Sequence, residues 1–160
     1  MRVGVMADSH DNVPMIRRAC ELFNRREVDM VLHCGDYIAP FSINPLNQIL
    51  QMDYRGVFGN NDGEHLGLEK TAGTKIQPAP FELSIGTWQV LICHDLPDPR
   101  AATRGKGYRL VAFGHTHRPE IKKEGGTLFV NPGECGGWLY GRWTVAIADL
   151  DTLKAEIIDL

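Results

Sequence analysis

The sequence predicts an α/β fold in which two mixed β-sheets pack together with helices outside, and three observations carry that prediction. In the first half, apolar strand-like runs alternate with helical periodicity, the rhythm of parallel pairing. In the second half, apolar runs come in pairs around tight-turn residues, the rhythm of hairpins. In both halves the apolar runs close in clusters of Gly, Asp, Asn or His.

Arg2 to Ala7 reads as a buried strand and is broken by Asp8-Ser9-His10-Asp11-Asn12. Pro14 suits the first turn of a helix, and Met15, Ile16, Ala19, Leu22 and Phe23 recur at helical spacing behind it. Val28 to His33 is a second strand, closed by Gly35-Asp36. A helix is expected over Ser42 to Gln51, with Pro45 limiting its start. Tyr54 to Phe58 is a third strand, closed by Gly59-Asn60-Asn61-Asp62-Gly63. Glu64 to Lys70 reads as a short surface helix or loop. The second half holds three hairpins. Phe81 to Ile85 and Trp88 to Cys93 flank Gly86-Thr87, Glu120 to Lys123 and Thr127 to Val130 flank Glu124-Gly125-Gly126, and Trp143 to Leu150 and Leu153 to Ile158 flank Asp151-Thr152. Arg109 to Phe113 is a further apolar strand ending at Gly114, and the one helical stretch expected in this half runs from Pro99 to Lys106.

Length and composition narrow the function classes. A chain of 160 residues fits one domain, 1–160, large enough for its own core. Its net charge is −3 with no basic run, which disfavours an electrostatic nucleic-acid binder. No apolar stretch reaches membrane-spanning length, and Asp8 arrives too early for a signal peptide, so the cytoplasm is the expected compartment. Cys20, Cys34, Cys93 and Cys135 form no C-x-x-C pair and read as buried free thiols.

The residues with chemical potential stand at the strand ends. Asp8 and His10 come after the first strand, Asp36 after the second and Asn60 after the third. His94 closes the Trp88 to Cys93 strand, and His115 and His117 close Arg109 to Phe113. Ligands of open α/β sheets bind beyond the carboxyl ends of the strands, so these seven donors are expected at one rim. Imidazoles suit Mn, Fe, Ni and Zn, whereas carboxylate and amide oxygens suit harder ions, so the mixture predicts transition metals. Two such ions held close need a bridging anion, a role that fits a carboxylate such as Asp36. Each fragment alone has a plainer reading. Asp-x-His is commonly a turn with a surface histidine, and Gly-Asn-Asn-Asp-Gly is a run of turn formers. His-Thr-His is the least turn-like. His33 and His65 read as structural, and Trp138, Tyr140 and Trp143 as core packing or a subunit interface. Arg118 reads equally well as a phosphate contact or a solvated rim residue.

Asp8-Ser9-His10, Gly35-Asp36, Gly59-Asn60-Asn61-Asp62, Cys93-His94 and Gly114-His115-Thr116-His117 resemble, in order, the five motifs of the calcineurin-like metallophosphoesterases. The nearest likeness is to the small prokaryotic branch typified by YfcE-like phosphodiesterases, to which Asn131-Pro132-Gly133-Glu134 also conforms. The resemblance runs from Arg2 to about Gly136. It implies a four-layer αββα sandwich, two mixed β-sheets flanked by helices. It implies two divalent transition-metal ions, Mn ahead of Ni, Fe or Zn. Asp8, His10, Asp36 and His117 would hold one, and Asp36, Asn60, His94 and His115 the other. Asp36 and a nucleophilic hydroxide would bridge them for in-line attack on a phosphate ester, with Asp36, His94 and Asn61 as the catalytic set. The implied partners are a small phosphate-ester substrate and further copies of the chain, as a dimer or tetramer; the charge and hydropathy read above disfavour nucleic acid and leave no membrane partner expected.

Two departures bear on mechanism. Asn61 stands where many relatives carry a histidine beside the leaving oxygen, which leaves Asp62 and His65 as the other candidate acids. Asp95 stands where the family has glycine; it is expected to orient His94 or to repel an anionic substrate. The competing function is a non-catalytic metal-binding scaffold or interaction protein, as in the retromer subunit that resembles this family. Such scaffolds typically lose ligands, and all seven are present here. A nuclease lacks support from the charge. A dinucleotide binder is excluded because no G-x-G-x-x-G comes after the first strand.

Overall fold

The computed structural model describes residues 1–96, 98 and 103–160. Eleven strands among them form two sheets. The first has the order β11-β10-β1-β2-β3-β4, built from β1 (Arg2–Met6), β2 (Met30–His33), β3 (Tyr54–Val57), β4 (Ile76–Gln77), β10 (Thr144–Asp149) and β11 (Lys154–Asp159). The second has the order β5-β6-β7-β9-β8, built from β5 (Phe81–Ile85), β6 (Trp88–Ile92), β7 (Leu110–Ala112), β8 (Pro119–Glu124) and β9 (Thr127–Pro132). Both sheets are mixed: β1, β2, β3 and β4 are parallel, as are β6, β7 and β9, while hairpins close one edge of the first sheet and both edges of the second.

The alternation of side chains along β1 explains the layering. Val3, Val5 and Ala7 face the second sheet, joining Leu32, Ala146 and Ala148 and, from across the interface, Val90, Ile92, Leu110 and Val130. Met6 faces the other way, toward the helices α1 (Val13–Arg25), α2 (Asn44–Ile49) and α3 (His65–Ala72), with Phe23, Leu46 and Leu68 as their contributions to that layer. A third apolar cluster of Leu91, Tyr108, Val111, Phe113 and Phe129 covers the outer face of the second sheet. The expected sandwich of two mixed sheets is therefore present.

The differences in detail have local causes. The Ser42 to Gln51 stretch is a 3₁₀ turn, Pro40–Ile43, and then α2, because Pro45 fits only the first turn of a helix. The Glu64 to Lys70 stretch resolves as α3. Strand β4 is two residues long and gives no readable period. The Pro99 to Lys106 stretch falls largely outside the described residues. No described helix is long and apolar enough to cross a membrane, and all four cysteines are buried and free.

Candidate metal centre

The loops after β1, β2, β3, β6 and β7 meet at the ends of both sheets and are stitched together by their backbones. His10 N donates to the Asp36 carbonyl at 3.0 Å, Gly114 N to the His94 carbonyl at 2.9 Å, and Gly136 N to the Asp8 carbonyl at 2.9 Å. The two sheets are thus joined through the residues that close their strands.

The backbone at these loops is unusual. Nine non-glycine residues among those described have positive φ, and five of them are predicted ligands: Asp8, His10, Asp36, His115 and His117. Side chains in the left-handed region cost free energy, and such residues persist where surrounding contacts over-determine them, commonly at functional sites. Gly35, at φ 95°, lets this crowding occur: a Cβ there would lie 2.8 Å from His94 Nδ1 and 2.7 Å from Gly59 N.

Asp8, His10, Asp36 and His117 each offer a ligand atom, and the four atoms lie within 4.8 Å of one another. His10 Nε2 stands 3.4 Å from Asp36 Oδ2 and His117 Nε2 stands 3.6 Å from Asp8 Oδ1. Beside this group, His94 Nε2 and His115 Nδ1 converge on Asn60 Oδ1 at 2.8 and 2.9 Å, and His94 Nε2 lies 3.5 Å from Asp36 Oδ2. Asp36 therefore touches both groups.

Three features fit these residues to cations. His10 Nε2 is buried with no hydrogen-bond partner, an arrangement that costs free energy unless something else satisfies the nitrogen. The Asp8 carboxyl, wholly buried and close to the Asp36 charge, is pushed up to about 8. Burial holds His10 below the ordinary imidazole range, so its ring is neutral and a lone pair is available.

The tautomers are set from behind. His94 Nδ1 lies 2.7 Å from the Cys34 carbonyl, which only accepts, so the proton sits on Nδ1 and Nε2 faces the centre. His117 Nδ1 donates to Glu134 Oε2 at 2.9 Å, with the same consequence. Glu134 is buried, which opposes ionisation, but the amides of Leu139 and Tyr140 and the His117 ring hold its carboxyl below the usual range. Asn131 Nδ2 donates to the Gly114 carbonyl at 2.8 Å and to Thr116 Oγ1 at 3.0 Å, bracing the His115–His117 loop.

Glu134 and Asn131 are supports that the sequence presents only as part of the Asn131-Pro132-Gly133-Glu134 turn, with nothing in it to show which side chains they brace. Asp95 does not orient His94, because the Cys34 carbonyl already occupies Nδ1; it is exposed on the wall of a neighbouring cavity. Asp62 accepts from the amides of Asp36 and Gly59 on one oxygen and of Ile38 on the other, so it braces the loop that carries Asp36. His65 is exposed and stacks on Phe58 at 4.1 Å between ring centres. His33 is fully buried and links Ser9 Oγ to the Gly35 amide. Trp138, Tyr140 and Trp143 are 65%, 52% and 41% exposed, so the core-packing alternative fails for them. Arg118 Nε donates to the Tyr140 hydroxyl at 3.1 Å on the rim. Asn61 is exposed, and its Nδ2 donates to Asp36 Oδ2 at 2.7 Å.

Comparison with known proteins decides what this geometry belongs to. Residues 1–153 match the model of the calcineurin-like phosphoesterase superfamily domain. The chain belongs to that family. It is accordingly a phosphoester hydrolase by family, and divalent metal ions are the family's cofactors. A phosphodiesterase of Methanocaldococcus jannaschii is 33% identical, with 98% of this chain and 96% of the relative aligned. A solved archaeal phosphodiesterase superposes over the whole of both chains with a TM-score of 0.88 at 32% identity. The YfcE phosphoesterase of E. coli shares the fold at 17% identity and a TM-score of 0.68, covering 99% of this chain and 98% of its own.

Proposed function

We propose that the chain is a dinuclear metal-dependent phosphodiesterase. Asp8, His10, Asp36 and His117 hold one divalent transition ion, Asn60, His94 and His115 hold the second, and Asp36 is shared. The observation that carries this reading is the position of Asp36 Oδ2, 3.4 Å from His10 Nε2 in one group and 3.5 Å from His94 Nε2 in the other. The mixture of imidazoles and oxygen donors favours manganese, with nickel, iron or zinc as substitutes. When bound, such a pair lowers the pKa of a water into the neutral range and clamps the attacking and leaving oxygens of an in-line displacement.

The chain's own residues then set the substrate. With Asp36 engaged by the ions, the Asn61 amide is free to donate to a phosphate oxygen, but a carboxamide supplies no proton at neutral pH. Asp62 is fully engaged with backbone amides. The leaving oxygen therefore departs without a dedicated acid, which favours esters with good leaving groups. A diester carries one charge where a monoester carries up to two, so exposed Asp95 repels it less. Aryl phosphodiesters should turn over far faster than alkyl diesters or monoesters. A graded series of aryl leaving groups checks this: a steep dependence is expected for the wild type, flattened by Asn61→His. A flat wild-type series, with chemistry rate-limiting, would remove the basis for assigning Asn61.

The exposed Trp138, Leu139, Tyr140 and Trp143 support the dimer or tetramer expected from the family branch, since an apolar patch on this scale favours self-association. Sedimentation of wild type and Trp138→Asp tests it, with a monomeric wild type as the refuting result.

A further inference from the structure

Next to the candidate ligands, but not among them, stands a buried pair of polar side chains that the metal reading leaves unused: His33 and Ser9. Neither is exposed at all. His33 Nε2 lies 3.0 Å from Ser9 Oγ, and the Gly35 amide nitrogen lies 3.2 Å from His33 Nδ1. Ser9 Oγ in turn lies 3.4 Å from the Asp36 carbonyl. Tyr37 stacks on the imidazole with ring centres 3.8 Å apart, so the ring is held on its face as well as at both nitrogens.

The donors fix one direction for this chain of bonds. An amide N–H only donates, so Nδ1 accepts and carries no proton. The neutral ring then has its proton on Nε2, which donates to Ser9 Oγ. The Ser9 hydroxyl hydrogen is left for the Asp36 carbonyl. The chain thus leaves the loop after β2 at Gly35, crosses to the loop after β1 at Ser9, and returns at Asp36. The residues flanking these bonds are strained: Asp8, His10 and Asp36 have φ of 50°, 40° and 60°. Such conformations persist only where surrounding contacts over-determine them. Main-chain bonds from His10 N to the Asp36 carbonyl and from Asp8 N to the Gly35 carbonyl, each 3.0 Å, supply part of that constraint. The imidazole adds a bond to each loop from one rigid ring, so the ring itself sets the spacing of Ser9 from Gly35.

We propose that His33 is a positioning residue for the metal centre: its neutral ring is the spacer that keeps Asp8 and His10 in register with Asp36, as a seat for a divalent cation at the first position. The proposal rests on the metal reading above and deepens it with a residue that binds no ion itself. The first position draws on both loops, with Asp8 and His10 from one and Asp36 from the other. The second draws only Asp36 from them, since Asn60, His94 and His115 come after other strands. The spacer therefore acts on the first position far more than on the second. A histidine that merely filled the core would have no such preference.

Two measurements test this without any turnover. In metal-free protein, nitrogen NMR of the imidazoles should show His33 protonated on Nε2 and bare on Nδ1; a proton on Nδ1 would overturn the chain of bonds. In calorimetric titration with Mn²⁺, His33→Phe keeps a ring to stack on Tyr37 but deletes both bonds. It should weaken the first position about 10–100-fold, as loss of other groups behind metal ligands does. Ser9→Ala removes a single hydroxyl and should weaken the same position about three- to tenfold, the effect of one hydrogen bond. The second position should change by less than about threefold in either variant, below what one hydrogen bond commonly contributes. Both variants cut one chain, so the double variant should lose no more than His33→Phe alone, whereas independent effects would multiply. Losses that multiply, equal losses at both positions, or wild-type affinity in either folded variant would overturn the proposal. Should His33→Phe not fold, Ser9→Ala and the tautomer carry the test. A wild type that binds one ion, with an affinity that still falls in the variants, would leave the role of His33 standing and overturn the two-ion reading. Two ions bound with no response to the variants would do the reverse.

Discussion

The two groups of candidate ligands are built differently. Asp8, Asp36 and His117 of the first are buried, with His10 half-buried, and two of the four donors are carboxylates. In the second, only His94 and the shared Asp36 are buried; Asn60 is a neutral amide and, like His115, it is exposed. The first group also has the firmer support, because Glu134 orients His117 with an ionised carboxylate while His94 leans on a neutral carbonyl. More anionic donors in a drier, braced setting hold a divalent ion more tightly. If both groups hold an ion, as proposed above, the difference predicts a tightly held ion in the first and a more readily exchanged one in the second, on the side of the cavity that Asn60 and His94 line.

The largest effect should come from the residue the groups share. Asp36→Asn removes the anion that offsets repulsion between two ions, and it should lower diester hydrolysis at least about a thousandfold, equivalent to roughly 4 kcal/mol of transition-state stabilisation. Elemental analysis should show loss at both positions. Wild-type turnover in excess metal would mean that Asp36 does not bridge.

The asymmetry is tested by paired substitutions. His115→Ala should retain one tightly held Mn²⁺ per chain in calorimetric titration and lose the weaker one. His117→Ala should lose the tight one, with affinity down by at least about a hundredfold. A greater loss from His115→Ala than from His117→Ala would invert the comparison. Glu134→Gln should act more gently and on the first position alone, weakening it by about 10–100-fold as other imidazole-orienting residues do. An equal effect on both positions would show that Glu134 supports the whole rim instead.

In the sequence the contrast runs between ligands and supports. All seven candidate ligands stand next to strand ends, where apolar periodicity stops and Asp, Asn or His begins, so their meeting at one rim was legible from order alone. Their supports were not. The Cys34 carbonyl that orients His94 is backbone and leaves no trace in residue type, which is why Asp95, the visible carboxylate next door, looked like the better partner. Glu134 reaches His117 across 17 positions through a turn whose geometry depends on the positive φ of Gly133 and Gly137. The strands were legible wherever a continuous apolar run closed on turn residues, as in β1, β2, β9 and β10. β4, at two residues, is fixed by pairing with β3 and not by its own pattern. The aromatic segment after Cys135 resembled core by composition, yet Trp138 lies outside, its indole donating to the His10 carbonyl at 3.1 Å.

The smallest predicted effect concerns stability, and it separates the groups without any turnover. In metal-free protein, burial and the neighbouring Asp36 raise the Asp8 carboxyl to about 8, against 3.8 when exposed. Between those values the folded state holds a proton that the unfolded state has released, so stability falls as pH rises, by up to about 1.4 kcal/mol per pH unit. His10 and His33 act oppositely: burial lowers both, so below about 6.5 the unfolded chain takes up protons that the folded chain refuses, and stability falls as pH drops. Metal-free stability should therefore peak near pH 6.5 and decline toward pH 8, by about 2–4 °C in Tm for each kcal/mol lost. Asp8→Asn should remove the decline on the alkaline side, whereas His115→Ala, in the second group, should leave it in place. Saturating Mn²⁺ should reverse its sign, since ligands must shed protons to bind metal and binding strengthens with pH. An alkaline decline that survives in Asp8→Asn would locate the buried charge elsewhere and dissolve the distinction between the two positions.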